Sequence, residues 1–250
     1  MTENKTYIYG KRAVYEALKN APQCVERVLL APEFHDDELH GLIRRAGATM
    51  GKLTSENMPR EVEAGAVHQG VIAQIVLSKL VRPYGEFIEN LTVTPDTALV
   101  LLGEIQDPQN VGAIIRSAAA FGIAGVLIPE HNQSPITGAV VKVSAGMAFR
   151  IPLVQIGNVN TTLRDLKEKK FWIYGLSGDA EKAISEEKFD APAVFVLGNE
   201  AKGIRMKTME ECDIMLTIPM HPECESLNVA ASSAVALHAW STQHRGALNK

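Results

Sequence analysis

The chain has 250 residues, 46% of them hydrophobic and 22% charged, with a formal net charge of −4. This is an ordinary globular composition, long enough for one large α/β domain or a medium and a small one. The mild acidity argues against binding nucleic acid mainly through bulk charge, while leaving open RNA recognised through a local patch. No apolar run approaches the roughly 18 residues of a membrane span. The N-terminus lacks the apolar core and cleavage pattern of a signal peptide, and Cys24, Cys212 and Cys224 are few, odd in number and irregularly spaced. A reducing cytoplasm is the expected location.

Tyr7 to Gly10 is strand-like, and Lys11 to Lys19 carries Val14, Ala17 and Leu18 at helical spacing. Val25 to Leu30 reads as a strand, and Asp36 to Ala46 as an amphipathic helix that ends near Gly47. A second α/β unit is expected next, closed by a strand from Gly70 to Leu77. These elements make a small α/β domain over residues 1–77, with a net charge of −1. Its basic pairs Lys11-Arg12 and Arg44-Arg45 are candidate RNA contacts, although solvated surface is the simpler account of either pair alone. Residues 78–96 are polar, contain Pro83, Gly85 and Pro95, and read as a linker with one short helical piece.

From residue 97 to 250 the pattern is that of a parallel sheet covered by helices. Strands are expected at Ala98–Leu102, Gly125–Ile128, Val154–Ile156, Trp172–Leu176 and in the run from Val194. Helices are expected at Val111–Phe121, with Asn110 as N-cap, and at Gly138–Ala145, Val159–Lys169 and Leu227–Trp240. The apolar runs that end near Leu197 and Ile218 stop in loops holding Gly198, Glu200, Gly203, Ser226 and Asn228. Open α/β sheets bind ligands at the carboxyl ends of their strands, so these two loops are expected to share one site. Arg116, nearly two turns into its helix, can lean back towards Asn110 and the same cleft.

Several chemistries are excluded by spacing. The Gly198–Gly203 loop lacks the Lys and Ser/Thr of a triphosphate loop, since Ile204 and Arg205 follow it. No strand is followed by a dinucleotide fingerprint, and Gly175-Leu-Ser177-Gly178 has the wrong spacing for a nucleophile elbow. His221 and Cys224 have no second pair with which to bind zinc, so no metal is expected. Asn110, Arg116, Glu200, Ser226 and Asn228 can position and neutralise, which suits a reaction whose reactive group arrives on a cofactor such as S-adenosylmethionine.

The segments Asp107-Pro-Gln-Asn110-Val-Gly112-Ala-Ile-Ile-Arg116, Leu197-Gly-Asn-Glu200-Ala-Lys-Gly203-Ile and Ile218-Pro-Met…Ser226-Leu-Asn228-Val resemble the three motifs of the SpoU (TrmH-like) family of RNA 2′-O-ribose methyltransferases. Tyr9-Gly10-Lys-Arg-Ala-Val14-Tyr-Glu-Ala-Leu18 and Gly65-Ala-Val-His-Gln-Gly70 resemble the small ribosomal-protein-like substrate-binding domain of its two-domain members. The resemblance is strongest to the branch that modifies a guanosine in 23S ribosomal RNA. It implies an α/β fold of SPOUT type with a deep C-terminal trefoil knot, and a homodimer with the site near the interface. It further implies S-adenosylmethionine as cofactor, held around Leu197, Gly198, Ile218, Met220 and Leu227. Arg116 matches the family's catalytic arginine, implied to contact the substrate phosphate or 2′-oxygen, with Asn110, Glu200, Ser226 and Asn228 as positioning groups. A transfer RNA substrate, or a non-catalytic RNA-binding module of the same fold, is the alternative. Two departures from the family stand out: Val-Ala-Ala-Ser after Asn228, and an acidic loop His221-Pro-Glu-Cys-Glu.

Overall fold

The computed structural model describes residues 5–60, 62, 65 and 67–249. By their contacts these fall into two compact units, one of residues 1–81 and 136–150, the other of 82–135 and 151–250.

In the small unit, β1 (Lys5–Tyr9), α1 (Lys11–Asn20), β2 (Val25–Leu30), α2 (Asp37–Ala46), β3 (Thr49–Lys52) and β4 (Val71–Val76) build a sheet of order β1-β4-β2-β3. β4 is central, antiparallel to β1 and β2, while β3 lies parallel to β2. α2 starts and stops as its sequence dictates. Asp36 caps it by accepting from the Leu39 N–H at 3.0 Å, and Gly47 closes it at φ 68°, where glycine has no Cβ penalty. The same Asp36 carboxylate accepts from Lys11 Nζ and Tyr15 Oη, both at 2.6 Å. Those contacts, Lys11 first, hold it well below the usual carboxylate range. The second α/β unit expected between α2 and β4 is reduced, among the described residues, to β3 and the short turn Ser55–Asn57. Residues 61, 63, 64 and 66 of that stretch, including part of the Gly65–Gly70 motif, lie outside the described residues.

The large unit carries β5 (Val81–Pro83), α3 (Tyr84–Glu89), β6 (Ala98–Leu102), α4 (Pro108–Ala120) and β7 (Gly125–Pro129). After α5 (Gly138–Val143) come β8 (Leu153–Ile156), α6 (Val159–Glu168), β9 (Trp172–Leu176), β10 (Lys182–Ala183), β11 (Ala193–Leu197), α7 (Met206–Met209), β12 (Ile214–Thr217) and α8 (Val229–Gln243). The strands form one sheet in the order β10-β12-β9-β11-β6-β7-β8-β5, parallel from β10 through β8. β6, β7 and β11 are buried along their whole length, as continuous apolar runs between two layers of helices should be.

The structure corrects three expectations. Residues 78–96 are not a bare linker. β5 joins the edge of the large sheet, and Phe87 of α3 is buried against Leu99 and Leu101, so close to Gly125 that a Cβ there would stand 2.8 Å from its ring. Polar neighbours hid that apolar face. Next, α4 begins at Pro108 under an Asp107 cap, Oδ1 accepting from the Gln109 N–H at 2.8 Å, so Asn110 is not the cap. Proline at the first helical position, with its φ already helical, decides between the two candidates. Finally, Ile136–Arg150 belongs with the small unit although it lies between β7 and β8 in the chain. There α5 packs on β1, and Arg150 grips Glu16 of α1 by two bonds of 2.6 and 2.8 Å.

Candidate functional site

Three loops leave the carboxyl ends of strands in one parallel sheet: residues 103–107 after β6, 198–205 after its neighbour β11, and 218–228 after β12, which lies beyond β9. The first two touch through their backbones. The Gly103 N–H donates to the Leu197 carbonyl at 2.7 Å, and a Cβ on Gly103 would sit 2.3 Å from that oxygen. A Cβ on Gly198 would come within 2.3 Å of Gly203 in its own loop, so both positions require glycine for close approach. The 198–205 loop is folded tightly on itself. Asn199 and Gly203 exchange both backbone hydrogen bonds, at 3.0 and 2.9 Å, and Asn199 Oδ1 accepts from the Ala201 and Lys202 N–H groups.

A chain of side chains then ties all three loops together. Asn228 caps α8, its Oδ1 accepting from Ala230 and Ala231, and its Nδ2 donates to Asn110 Oδ1 at 3.0 Å. Asn110 Nδ2 in turn donates to Glu200 Oε1 at 3.0 Å. Glu200 also accepts from the backbone N–H groups of Gln106 and Asp107, at 3.2 Å, just ahead of α4. Partial burial pushes the Glu200 carboxyl up, but these hydrogen bonds outweigh it and hold the group below its usual range. It is therefore an anion saturated with donors, placed where a helix N-terminus favours negative charge. Asn110, freed from capping, can make this link because an amide side chain both donates and accepts.

The chain of bonds borders a cavity of about 600 Å³. Leu197, Gly198, Ile218, Met220 and Leu227 all line it, together with Glu200, Ser226 and Asn228. Ile218 is the first residue past β12, and the strand itself is Ile214–Thr217. The Ser226 hydroxyl makes no hydrogen bond among the described residues. Sequence reasoning missed Ser177, Asp179 and Lys202, which also line the cavity. The first two follow β9, and the carboxyl-end rule applied to that strand would have found them.

Arg116 is not among the cavity-lining residues. It stands exposed on α4, with no hydrogen bond or ion pair among the described residues. At about 100° per residue, six positions place it some 120° around the helix from Asn110. In the small unit, Lys11 is engaged by Asp36, whereas Arg12 of α1 and Arg44 and Arg45 in the last turn of α2 are exposed. Among the described residues no cluster of three or more His, Cys, Asp and Glu side chains could hold a metal.

Comparison with known proteins decides the family. The profile described as "SpoU rRNA Methylase family" matches residues 97–238, and one described as "RNA 2′-O ribose methyltransferase substrate binding" matches residues 7–80. The chain belongs to the SpoU family. Among its relatives is a 23S rRNA (guanosine-2′-O-)-methyltransferase RlmB of Shewanella oneidensis, 34% identical over 92% of this chain and 94% of the relative. The protein of the same name from Xanthomonas axonopodis pv. citri is 35% identical over 99% of this chain and all of its own length. Solved SpoU structures share the fold. The AviRb methyltransferase of Streptomyces viridochromogenes, in complex with AdoMet, superposes with a TM-score of 0.79 at 20% identity, over 97% of this chain and 91% of its own. An AdoMet-bound rRNA methyltransferase of Sinorhizobium meliloti gives 0.82 at 18% identity, over 96% and 87%. No helix among the described residues is long and apolar enough to cross a membrane.

Proposed function

We propose that this SpoU chain transfers a methyl group from S-adenosylmethionine to a ribose 2′-oxygen of RNA, at a guanosine of 23S ribosomal RNA in the cytoplasm. The observation that carries the reading is the Glu200–Asn110–Asn228 chain of hydrogen bonds, which fixes three strand-end loops around one cavity. The substrate assignment rests on relatives matched along nearly the whole of both chains.

The cavity suits the cofactor. Its volume is typical of small-molecule sites, roughly 300–1,000 Å³. Met220 and Leu227 lie open at 37% and 40% exposure, apolar surface that an adenine ring would cover. When bound, S-adenosylmethionine supplies an electrophilic methyl group on a sulfonium leaving group. The chain's own residues then have to orient and neutralise. Glu200 carries negative charge without an ion-pair partner among the described residues, an electrostatic match for a cation nearby. The Ser226 hydroxyl, which lines the cavity, would hydrogen-bond the acceptor. With its guanidinium uncommitted, Arg116 would take up an RNA phosphate or the 2′-oxygen.

The same reading makes the protein a knotted homodimer. In support of a knot, β12 pairs outside β9, yet the loop that follows returns to the cavity of the 198–205 loop before α8 packs on α4. In support of a dimer, α8 is apolar nearly all round, yet Val235 is 40% exposed, and a helix of that kind is normally covered. Arg116 lies on the helix that packs against α8 and would meet RNA near that interface. The small unit, with Arg12, Arg44 and Arg45 exposed, would grip the RNA.

The test is methyl transfer from labelled S-adenosylmethionine to unmodified 23S, 16S and transfer RNA, followed by alkaline hydrolysis. An alkali-resistant labelled dinucleotide from 23S RNA alone is expected. Label in transfer RNA would move the substrate, and unchanged methylation by Arg116→Ala would remove Arg116 from the site.

A further inference from the structure

A second cavity, of about 580 Å³, opens on the large unit beside the first. From β6 the chain runs outward through β7 and β8, then returns to place β9 and β11 on the other side, so the strand order reverses between β6 and β11. That crevice is where open α/β sheets hold nucleotides. Gly103 and Glu104 line the cavity after β6, His131 and Asn132 after β7, Asn158 and Asn160 at the start of α6, and Arg205 to Thr208 after β11. The loop from Gly198 to Arg205 separates it from the cofactor cavity, and Ile204 lines both.

Two features mark this cavity as more than a surface dent. Glu104 and Asn132, which both line it, have left-handed backbones, at φ 65° and 55°. Such conformations are costly for residues other than glycine and tend to persist where function requires them. Both are held by one side chain: Gln106 Nε2 donates to the Glu104 carbonyl at 3.2 Å and to the Asn132 carbonyl at 2.6 Å. The Gln106 backbone N–H donates to Glu200, so one residue joins this cavity to the first. In addition, Glu104 and Arg205 form a bidentate pair at the cavity wall, Nε to Oε2 at 3.0 Å and Nη2 to Oε1 at 2.7 Å.

We propose that this cavity is a nucleobase pocket that receives a guanine of the substrate RNA; the proposal rests on the reading of the chain as an RNA methyltransferase. Each Glu104 oxygen keeps a lone pair, and the Arg205 guanidinium keeps free N–H groups. A carboxylate beside a guanidinium offers two acceptors next to donors. Among the four bases only guanine presents the complement, N1–H and N2–H next to O6. Unpaired RNA bases are recognised by such edge contacts together with stacking. Met206, 77% exposed at the rim, gives a soft apolar face for the ring, and the exposed Lys207 gives a cation for the phosphate. Asn132 and His131 have side chains without hydrogen bonds among the described residues, free to complete the contact.

The experiment measures binding of guanosine and adenosine 5′-monophosphates to the S-adenosylmethionine-saturated protein, alongside RNA methylation kinetics. Wild type should prefer the guanine nucleotide by about tenfold, the discrimination of one good bidentate contact. Glu104→Gln, which puts a donor where guanine needs an acceptor, should erase that preference. Asn132→Gly suits the left-handed backbone and keeps the fold; it should raise KM for RNA several-fold, with kcat and S-adenosylmethionine affinity unchanged. Equal binding of both nucleotides overturns the proposal. A guanine preference with KM for RNA unchanged in both variants assigns the pocket to a free nucleotide and overturns the RNA source. If wild type methylates RNA and the variants match it throughout, the pocket alone falls. If wild type neither binds S-adenosylmethionine nor methylates RNA, the underlying reading falls, and the RNA subsite with it.

Discussion

Glu16 in the small unit and Glu200 in the large one are carboxylates held below their ordinary range by opposite kinds of partner. Glu16 is 8% exposed, and the Arg150 guanidinium that grips it cancels its charge. Glu200 stands at the rim of a cavity, and its donors, the side-chain amides of Asn110 and Asn199 and the backbone N–H groups of Gln106 and Asp107, are all neutral. The first arrangement is a staple: it fixes geometry and leaves no field behind. The second also fixes geometry but keeps a full negative charge, which a site for a cationic cofactor can use. Hydrogen bonding alone can stabilise an anion without neutralising it, and this chain uses each solution where its consequence fits.

Breaking the neutral clamp should have the largest effect. Asn110→Ala removes the link between Glu200 and Asn228, and misplacing reacting groups by about 1 Å costs on the order of 100-fold in rate. Methylation kcat at saturating RNA and cofactor should fall by about that factor, while a melting curve shows the protein still folded. Glu200→Gln sharpens the comparison by removing charge with little change of shape. It should weaken binding of S-adenosylmethionine by several-fold and leave the uncharged S-adenosylhomocysteine nearly unaffected; equal losses for both would show that the charge is not used. In the small unit, Glu16→Gln should cost about 1–2 kcal/mol in urea unfolding, a modest figure because the Arg150 side chain is itself 54% exposed. Its kcat at saturating RNA should be unchanged.

The smallest effect is one of pH. Because the Glu16 carboxyl is lowered in the folded chain, its contribution is complete above the unfolded value near 4.5 and fades as pH falls through the folded value. The stability gap between wild type and Glu16→Gln should therefore be constant from pH 7 to about 5.5 and shrink towards pH 3. A gap that widens on acidification would contradict the assigned direction.

How much could be read beforehand follows from which forces are local. The runs Ala98–Leu102 and Val194–Leu197 declared buried parallel strands because nothing polar interrupts them. Asp36 and Gly47 announced both ends of α2, since capping is a matter of a few neighbouring residues. The strand-end loops named Glu200, Ser226 and Asn228 as neighbours of one cavity for the same local reason. Asn110 is not the cap it was expected to be: two cap-type residues stand three apart, and the proline between them settles the helix start. That Phe87 is core, that Arg116 stands outside the cavity lining, and that Asn199 and Gln106 brace the cavity depend on contacts between distant segments, which periodicity does not record.

The small unit is built from two separated stretches, and this bears on how the protein comes off the ribosome. β1 and α1 are synthesised at once, but α5 and Arg150, which complete their packing, follow only after β6, α4 and β7. At roughly 5–20 residues per second, the N-terminal portion waits several seconds for its last piece. Through that interval the Glu16 carboxylate lacks the Arg150 guanidinium and β1 lacks the α5 helix. The N-terminal unit thus begins first but is complete only once residue 150 has been made, and a fragment cut near residue 81 would stay incomplete however long it were given.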